Sequence, residues 1–415
     1  MVPIPASSHG GWLPDDPQYR RITVSLFLAG LATFALVYCT QPLLPVLAAG
    51  FEVTPAASTL SLSVTTVAMG VALLFYGPLS DAVGRLALMR LTLLAAALLA
   101  IGSAFASSWV LLLVLRAAVG LAVAGLPAVA AAYLREEIAP AWASAATGLY
   151  IGGTAIGGMS GRLLTGLVAE WFGWRTALGA VGAMALLIAV VLGLLLPPAL
   201  RFEPTPLRHD ELRANAHRML ADRGLLTLYA IGFTTMGGFV AAFNGLAFRL
   251  VGPPFGLGVG AASVVFVTYI VGSFSSPLAG RLAARHGSRT VVPLSLLVFG
   301  AGVALTLADS LPTIAAGVML ITFGFFAAHG TTSGWVTARA AAKGRGTGMA
   351  GSLYLAFYYF GSSACGALAG QAWSSGGWPA VAALAGGLVL ASLALAVSMH
   401  WVPTVPSRPF TPPQP

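Results

Sequence analysis

The chain has 415 residues, of which 58% are hydrophobic and only 8% are charged. A soluble protein carries about a quarter charged residues, so this chain cannot cover its surface in water and reads as an all-α polytopic membrane protein. The net charge of +9 is not a nucleic-acid footprint, because the basic residues gather in the loops on one side of the membrane.

Residues 1–21 form a tail, read as disordered through residue 19 from its prolines and its Ser-Ser-His-Gly-Gly run. Asp15 and Asp16 precede the first apolar run and no cleavage site follows it, which excludes a signal peptide. A membrane span needs about 20 apolar residues. Twelve stretches qualify: 22–47, 58–79, 88–106, 109–134, 144–168, 176–197, 225–249, 259–280, 290–308, 312–336, 347–371 and 379–402. A linker, 198–224, divides them into bundles 22–197 and 225–402, and a proline-rich tail, 403–415, closes the chain. Pro42 and Pro45 are expected to bend or end the first span. In the linker, Leu212, Ala216, Met219 and Leu220 fall at helical spacing among charges, which predicts a short interfacial helix. His217-Arg-Met-Leu-Ala-Asp222 has the spacing of an acyltransferase motif, but it matches at two residues and reads as a solvated helical face.

An even number of spans puts both termini on one side. Of the 21 Lys and Arg residues, 17 lie in the tails and in the loops on that side. Arg175 and Arg249 lie on the other side, and Arg116 and Arg162 lie within spans. Positive loops face the cytoplasm, so both termini are expected there. Trp109, Trp171, Trp174, Trp373 and Trp378 fall at the outer ends of spans, where an aromatic belt would sit.

Between the second and third spans lies Gly77-Pro-Leu-Ser-Asp81-Ala-Val-Gly84-Arg85-Leu-Ala-Leu-Met-Arg90, a charged stretch that hydrocarbon cannot host and that reads as a surface loop. The two halves repeat. At an offset of 203, Gly77, Leu79 and Gly84 meet Gly280, Leu282 and Gly287, and Gln41 meets Asn244. At an offset of 204, Gly120 meets Gly324, Leu149-Tyr150 meets Leu353-Tyr354, and Gly173-Trp174 meets Gly377-Trp378. Ala284 stands where the first half has Asp81. Gly77, Asp81, Gly84, Arg85 and Arg90 resemble the loop between the second and third helices of the major facilitator superfamily. Arg116-Ala-Ala-Val-Gly120 resembles that family's Arg-x-x-x-Gly. Gly148, Gly157, Gly161 and Gly166 match the spacing of its antiporter glycine motif, except that Arg162 replaces the proline after the third glycine. Gly153, Gly157 and Gly161 also make a small-residue stripe that lets another backbone approach. The resemblance covers essentially the whole chain and looks closest to the twelve-span drug- and sugar-efflux branch. It implies two six-helix halves rocking about a central site, with Asp81 and Arg85 as a cytoplasmic latch between the halves.

The twelve acids all fall away from the middles of spans. The ionisable groups inside spans are Arg116, Arg162 and His329, with the two arginines at similar depth in the outer half. Either arginine can be structural: Arg116 bonded within its bundle, Arg162 snorkelling outward to headgroups or Glu52. His329 is the span residue able to titrate near neutral pH, and so the candidate for a coupling proton. In the architecture that the resemblance implies, spans one, four, seven and ten line the cavity. Tyr38, Gln41 and Asn244 join the three ionisable groups as cavity candidates, and Tyr354, Tyr358 and Tyr359 read as packing. Two cysteines, Cys39 and Cys365, lie in apolar runs and suggest neither a disulfide nor a metal site. No cofactor and no nucleic acid is implied. The expected protein is a monomer in a bacterial inner membrane, with a small-molecule solute as its partner. It is expected to be a secondary active transporter exporting a small organic solute, anionic or neutral and polar in view of the unpaired arginines. The alternatives are a proton-coupled multidrug exporter, or a receptor or enzyme on the same scaffold.

Overall fold

The computed structural model describes residues 11–202, 209–344 and 346–403, and in the linker helix it leaves out the side chains of His209, Glu211 and Leu212. The remainder of both tails and residues 203–208 lie outside the described residues. Ten helical stretches are long and apolar enough to cross a membrane. We label them α1 (Pro17–Gly50), α2 (Pro55–Val83), α3 (Arg85–Ala104), α4 (Trp109–Glu137), the pair α5 and α6 (Pro140–Leu195), α7 (Arg223–Val251), α8 (Val259–His286), α9 (Ser288–Leu305), α10 (Leu311–Ala342), and the pair α11 and α12 (Thr347–Ser398).

Each pair is a hairpin. Gly173 breaks the first at φ 78°, and Gly376 and Gly377 break the second. Neighbours fix the reversal. Gly153, Gly157 and Gly161 press on the backbone of Phe27, Leu31 and Ala35, so α5 runs parallel to α1. Beyond the break, Gly182 presses on Ile101, and Arg90 Nη2 donates to the Leu196 carbonyl at 2.7 Å, so α6 returns antiparallel to α3. Likewise α11 runs against α2, with Gly70 facing Phe360 and Gly370 facing Thr59. Then α12 runs against α7, with Val381 beside Gly245 and Ser392 Oγ 2.6 Å from Thr234 Oγ1. The chain therefore crosses twelve times, as two six-helix halves.

The repeat is spatial as well as sequential. Gly157 would place a Cβ 2.1 Å from the Leu31 carbonyl oxygen, and Gly361, 204 residues on, would place one 2.0 Å from that of Phe233. Between the halves, Gly166 packs on Ser263 while Gly370 packs on Thr59, again the same contact shifted by 204 residues. Two equivalent seams, α5 with α8 and α11 with α2, thus join the halves at the end away from the termini.

Three expectations need correcting. The charged stretch from Gly77 to Arg90 is not a loop: α2 stays helical through Val83, Gly84 turns the chain alone at φ 103°, and α3 begins at Arg85. A φ near 100° suits glycine, and Gly287 repeats the turn at φ 82°. Helices run past the hydrocarbon because charged side chains at their ends reach the interface, so hydropathy underestimates their length. The N-terminal tail is ordered from residue 11. Trp12 is buried, its N–H donates to the Glu137 carbonyl at 2.9 Å and its carbonyl accepts from Ala139 N–H, which satisfies an end group of α4. The tryptophans do not form a uniform belt either. Trp171 is exposed, but Trp378 is buried and donates to the Thr306 carbonyl at 2.8 Å, while Trp109 and Trp174 pack on Phe51. The linker carries the expected helix, His209–Leu220, with Met219 buried.

Candidate functional site

Helix α1 ends its α-helical course at Tyr38, makes a 3-10 turn at Gln41–Leu43, and resumes at Leu44–Gly50. Pro42 and Pro45 lack N–H donors, so the break is written locally. A helix end leaves its last carbonyls unpaired. Arg116, on α4, supplies donors: its Nη2 bonds the carbonyls of Leu36 and Val37, both at 2.9 Å, and its Nη1 reaches Cys39 Sγ. A guanidinium at a helix C-terminus also complements the helix dipole. Arg116 is therefore a buried cap that holds the break, not a residue facing open space.

The break presents Gln41 to Asn244 of α7. Gln41 Nε2 donates to Asn244 Oδ1 at 2.8 Å, and Asn244 Nδ2 donates to the Gly366 carbonyl at 3.2 Å. These two residues are the repeat pair at offset 203. Equivalent residues of two pseudo-symmetric halves can touch each other only near the axis relating them, so this amide pair marks the centre of the seam. Its orientation is dictated chemically. Arg162 Nε, a donor only, bonds Gln41 Oε1 at 2.7 Å, so the Gln41 amino group must face Asn244.

Arg162, on α5, lies across the seam. Its guanidinium sits over Tyr38 at 4.1 Å in its own half, and over Tyr269 at 4.6 Å and Phe266 at 5.1 Å in the other. Its Nη1 donates to the Gly158 carbonyl at 2.6 Å. The ion pairs among the described residues are Asp81–Arg85, Arg85–Glu136, Arg249–Asp309, Arg339–Asp222 and Lys343–Asp222, none involving Arg162 or Arg116. Rings and neutral carbonyls carry both buried cations, and a desolvated cation–π contact contributes about 2 kcal/mol. Arg162 does not snorkel towards Glu52; the three-ring cage and the Gln41 acceptor hold it inward. At the far end of the same helix, Glu170 Oε2 accepts from Gly260 N–H of α8 at 2.9 Å, a second polar tie across the seam.

His329, on α10, lies within the C-terminal half. Its Nδ1 is 2.9 Å from Tyr354 Oη, and its ring stacks on Phe325 and packs on Tyr358. Phe325 in turn stacks on Phe239 at 3.7 Å. The tyrosines of α11 thus contact a site candidate rather than only packing. Among the described residues of the two halves, several buried polar atoms have no hydrogen-bond partner, including Thr33, Thr40, Tyr150, Thr331, Thr332 and Ser362. Buried polar groups are usually paired, and an aqueous solute is one partner such groups can take. Hydropathy hides them because single hydroxyls scarcely alter an apolar run; the polar sequence Thr331-Thr332-Ser333 after Gly330 was the visible signal.

At the end bearing the termini, which we call the basic end, the motif residues tie the N-terminal half together. Arg85 pairs with Asp81 at 2.8 Å and makes two bonds to Glu136, at 2.5 and 2.6 Å, joining α2, α3 and α4. Asp81 and Arg85 do not bridge the halves in this state. Asp222, the N-cap of α7, accepts from Leu225 N–H and from Arg339 Nε, each at 3.0 Å, and from Lys343. Burial alone would raise its carboxyl, but Lys343, the Leu225 amide and Arg339 outweigh that and hold it down at about 2. Gly77 and Gly148 do not pack: a Cβ on either, or on Gly280 and Gly351 of the other half, would meet nothing within 4 Å. The glycine contacts that join α2, α5, α8 and α11 at the far end do not recur at these positions near the basic end. Among the described residues no cluster of His, Cys, Asp and Glu could hold a metal ion.

The pattern defining the Major Facilitator Superfamily matches residues 26–275 and 245–415. The chain belongs to the major facilitator superfamily. It is 41% identical to the MFS-type transporter YybF of Bacillus subtilis (strain 168), over 91% of this chain and 93% of that one. It is 43% identical to the inner membrane transport protein YnfM of Escherichia coli (strain K12), over 92% of this chain and 91% of that one. The fold is that of a bacterial homolog of the human lysosomal transporter Spinster, with a TM-score of 0.71 at 18% identity, covering 93% of this chain and 96% of that one. This superfamily member is thus a membrane transport protein rather than an enzyme, and a multi-pass protein of the bacterial inner membrane.

Proposed function

We propose that this transporter exports a small organic solute by alternating access, as a monomeric secondary active transporter with both termini in the cytoplasm. One observation carries the reading. Four glycines, Gly77, Gly148, Gly280 and Gly351, one each on α2, α5, α8 and α11, stand free at the basic end, while the same helices are joined at the far end through Gly166 and Gly370, and α1 is joined to α7 through the Gln41–Asn244 pair. Rocking about that pair would close the basic end and open the far one. The excess of basic residues beside the tails supports a cytoplasmic basic end. In the alternate state Asp81 would act as the latch, its half-exposed carboxylate accepting bonds from the N-terminus of α11. His329 is the proposed carrier of a coupling proton.

Solute flux into proteoliposomes tests this. Asp81→Asn is expected to cut flux strongly with expression intact, because Arg85 keeps Glu136 and the fold survives. Wild-type flux in that variant refutes the latch. His329→Gln is expected to abolish dependence on a pH gradient while solute exchange persists; unchanged gradient dependence removes His329 as carrier. Ligand binding without flux of any solute refutes transport.

A further inference from the structure

Building on the transport reading above, we propose that the solute is an aromatic carboxylate whose carboxylate takes Gln41's place on Arg162, thereby releasing the bond that holds the far end shut.

Charge comes first. Arg162 is buried, carries its charge among rings and neutral acceptors, and has no carboxylate partner among the described residues. A cationic solute would meet repulsion there. A carboxylate would replace the Gln41 amide oxygen with a charged acceptor, and charge-assisted bonds are roughly twice as strong as neutral ones. Guanidinium also matches a carboxylate through paired parallel donors.

Shape comes second. From Arg162 the rings continue in contact: Tyr269 to Phe326 at 5.7 Å, Phe326 to Phe325 at 5.1 Å, Phe325 to His329 at 5.9 Å, and His329 to Tyr358 at 4.6 Å. This wall runs from the seam to a half-buried histidine in the C-terminal half. Flat faces favour a flat solute through offset stacking. Thr332, buried and without a partner three residues beyond His329 and so on the same face of α10, suits a ring hydroxyl of such a solute.

Coupling follows from the same bonds. Gln41 Oε1 serves Arg162 while Gln41 Nε2 serves Asn244 of the other half. Removing the first bond frees the amide to rotate, which loosens the second. The anion thus binds the state in which the seam is broken better than the state shown here, and a ligand shifts an equilibrium only through such a difference.

The test uses the purified full-length protein and four probes: benzoate, benzamide, cyclohexanecarboxylate and benzyltrimethylammonium. Calorimetry is expected to show benzoate binding at least tenfold more tightly than each of the others. Arg162→Lys should weaken benzoate at least tenfold, and Gln41→Ala should tighten it, because it removes the competing acceptor and populates the state that the anion prefers. Equal affinity for benzamide or for the cation overturns the charge argument, and equal affinity for cyclohexanecarboxylate overturns the ring argument. Unaltered benzoate binding in Arg162→Lys overturns the site. The probe series on the wild-type protein decides even where that variant fails to fold. Benzoate binding with this selectivity but no flux of any solute supports the site and refutes transport. Flux of other solutes without benzoate binding overturns the site and supports transport.

Discussion

Gln41→Ala is the most informative single change in this molecule. Gln41 makes two side-chain bonds, one to the charged Arg162 at 2.7 Å and one to Asn244 at 2.8 Å. A hydrogen bond to a charged group contributes about 1.5–3 kcal/mol, and a neutral one about 0.5–1.5 kcal/mol. The Asn244 bond joins the halves directly, whereas the Arg162 bond lies within the N-terminal half and persists when the far end opens, so the far-end-closed state would lose about 0.5–1.5 kcal/mol relative to a far-end-open state. At about 1.4 kcal/mol per tenfold, this shifts the population about 2- to 12-fold. Phe105 and Leu307 are exposed at the far ends of α3 and α9, one in each half, and Cys39 and Cys365 are buried. Spin labels on cysteines placed at 105 and 307 would therefore report the separation of the halves. A longer distance should gain population in Gln41→Ala. Asn244→Ala added to it should change little further, because the shared bond is already gone. A distance distribution identical to that of the otherwise unchanged protein refutes the idea that this amide pair holds the seam.

Arg116→Ala should lower the melting temperature in detergent by several degrees, since it strips the Leu36 and Val37 carbonyls of their buried donor at about 1–3 kcal/mol each; melting unchanged from wild type refutes the capping role. Asp222 is held at about 2 against an ordinary 3.8, so its stabilising effect is present above the ordinary value and is lost as pH falls towards 2. The difference in melting temperature between wild type and Asp222→Asn should shrink between pH 4 and pH 2, and a constant difference rules the linkage out. Gly148→Leu and Gly351→Leu should fold normally, because both positions face open space here, yet abolish flux by blocking closure of the basic end; full flux in either would show that the basic ends of α5 and α11 never approach.

Much of this protein was legible locally. Membrane crossing, the number of crossings and the two-half repeat follow from hydropathy, charge and spacing, which are properties of short stretches. Pro42 and Pro45 announced the break in α1 because proline removes donors wherever it sits. The helical course from Gly77 to Val83 was not legible, because charge marks the membrane surface but does not end a helix; only Gly84 does that.

The site depended on tertiary structure. Gln41, Arg162, Asn244 and His329 were visible as polar residues in apolar runs, yet nothing in the runs said which would meet. Gln41 and Asn244 touch because they are repeat partners placed at the axis between two bundles. His329 stays within the C-terminal half, beside Tyr354, and does not reach them. Arg116 and Arg162 looked alike by type and depth, and the fold separated them. The carbonyls freed by the break in α1 claim Arg116, while rings from both halves and the Gln41 amide claim Arg162. A local sequence sets the cost of burying a polar group; the partner that offsets this cost comes from another helix, so only the assembled bundles decide its role.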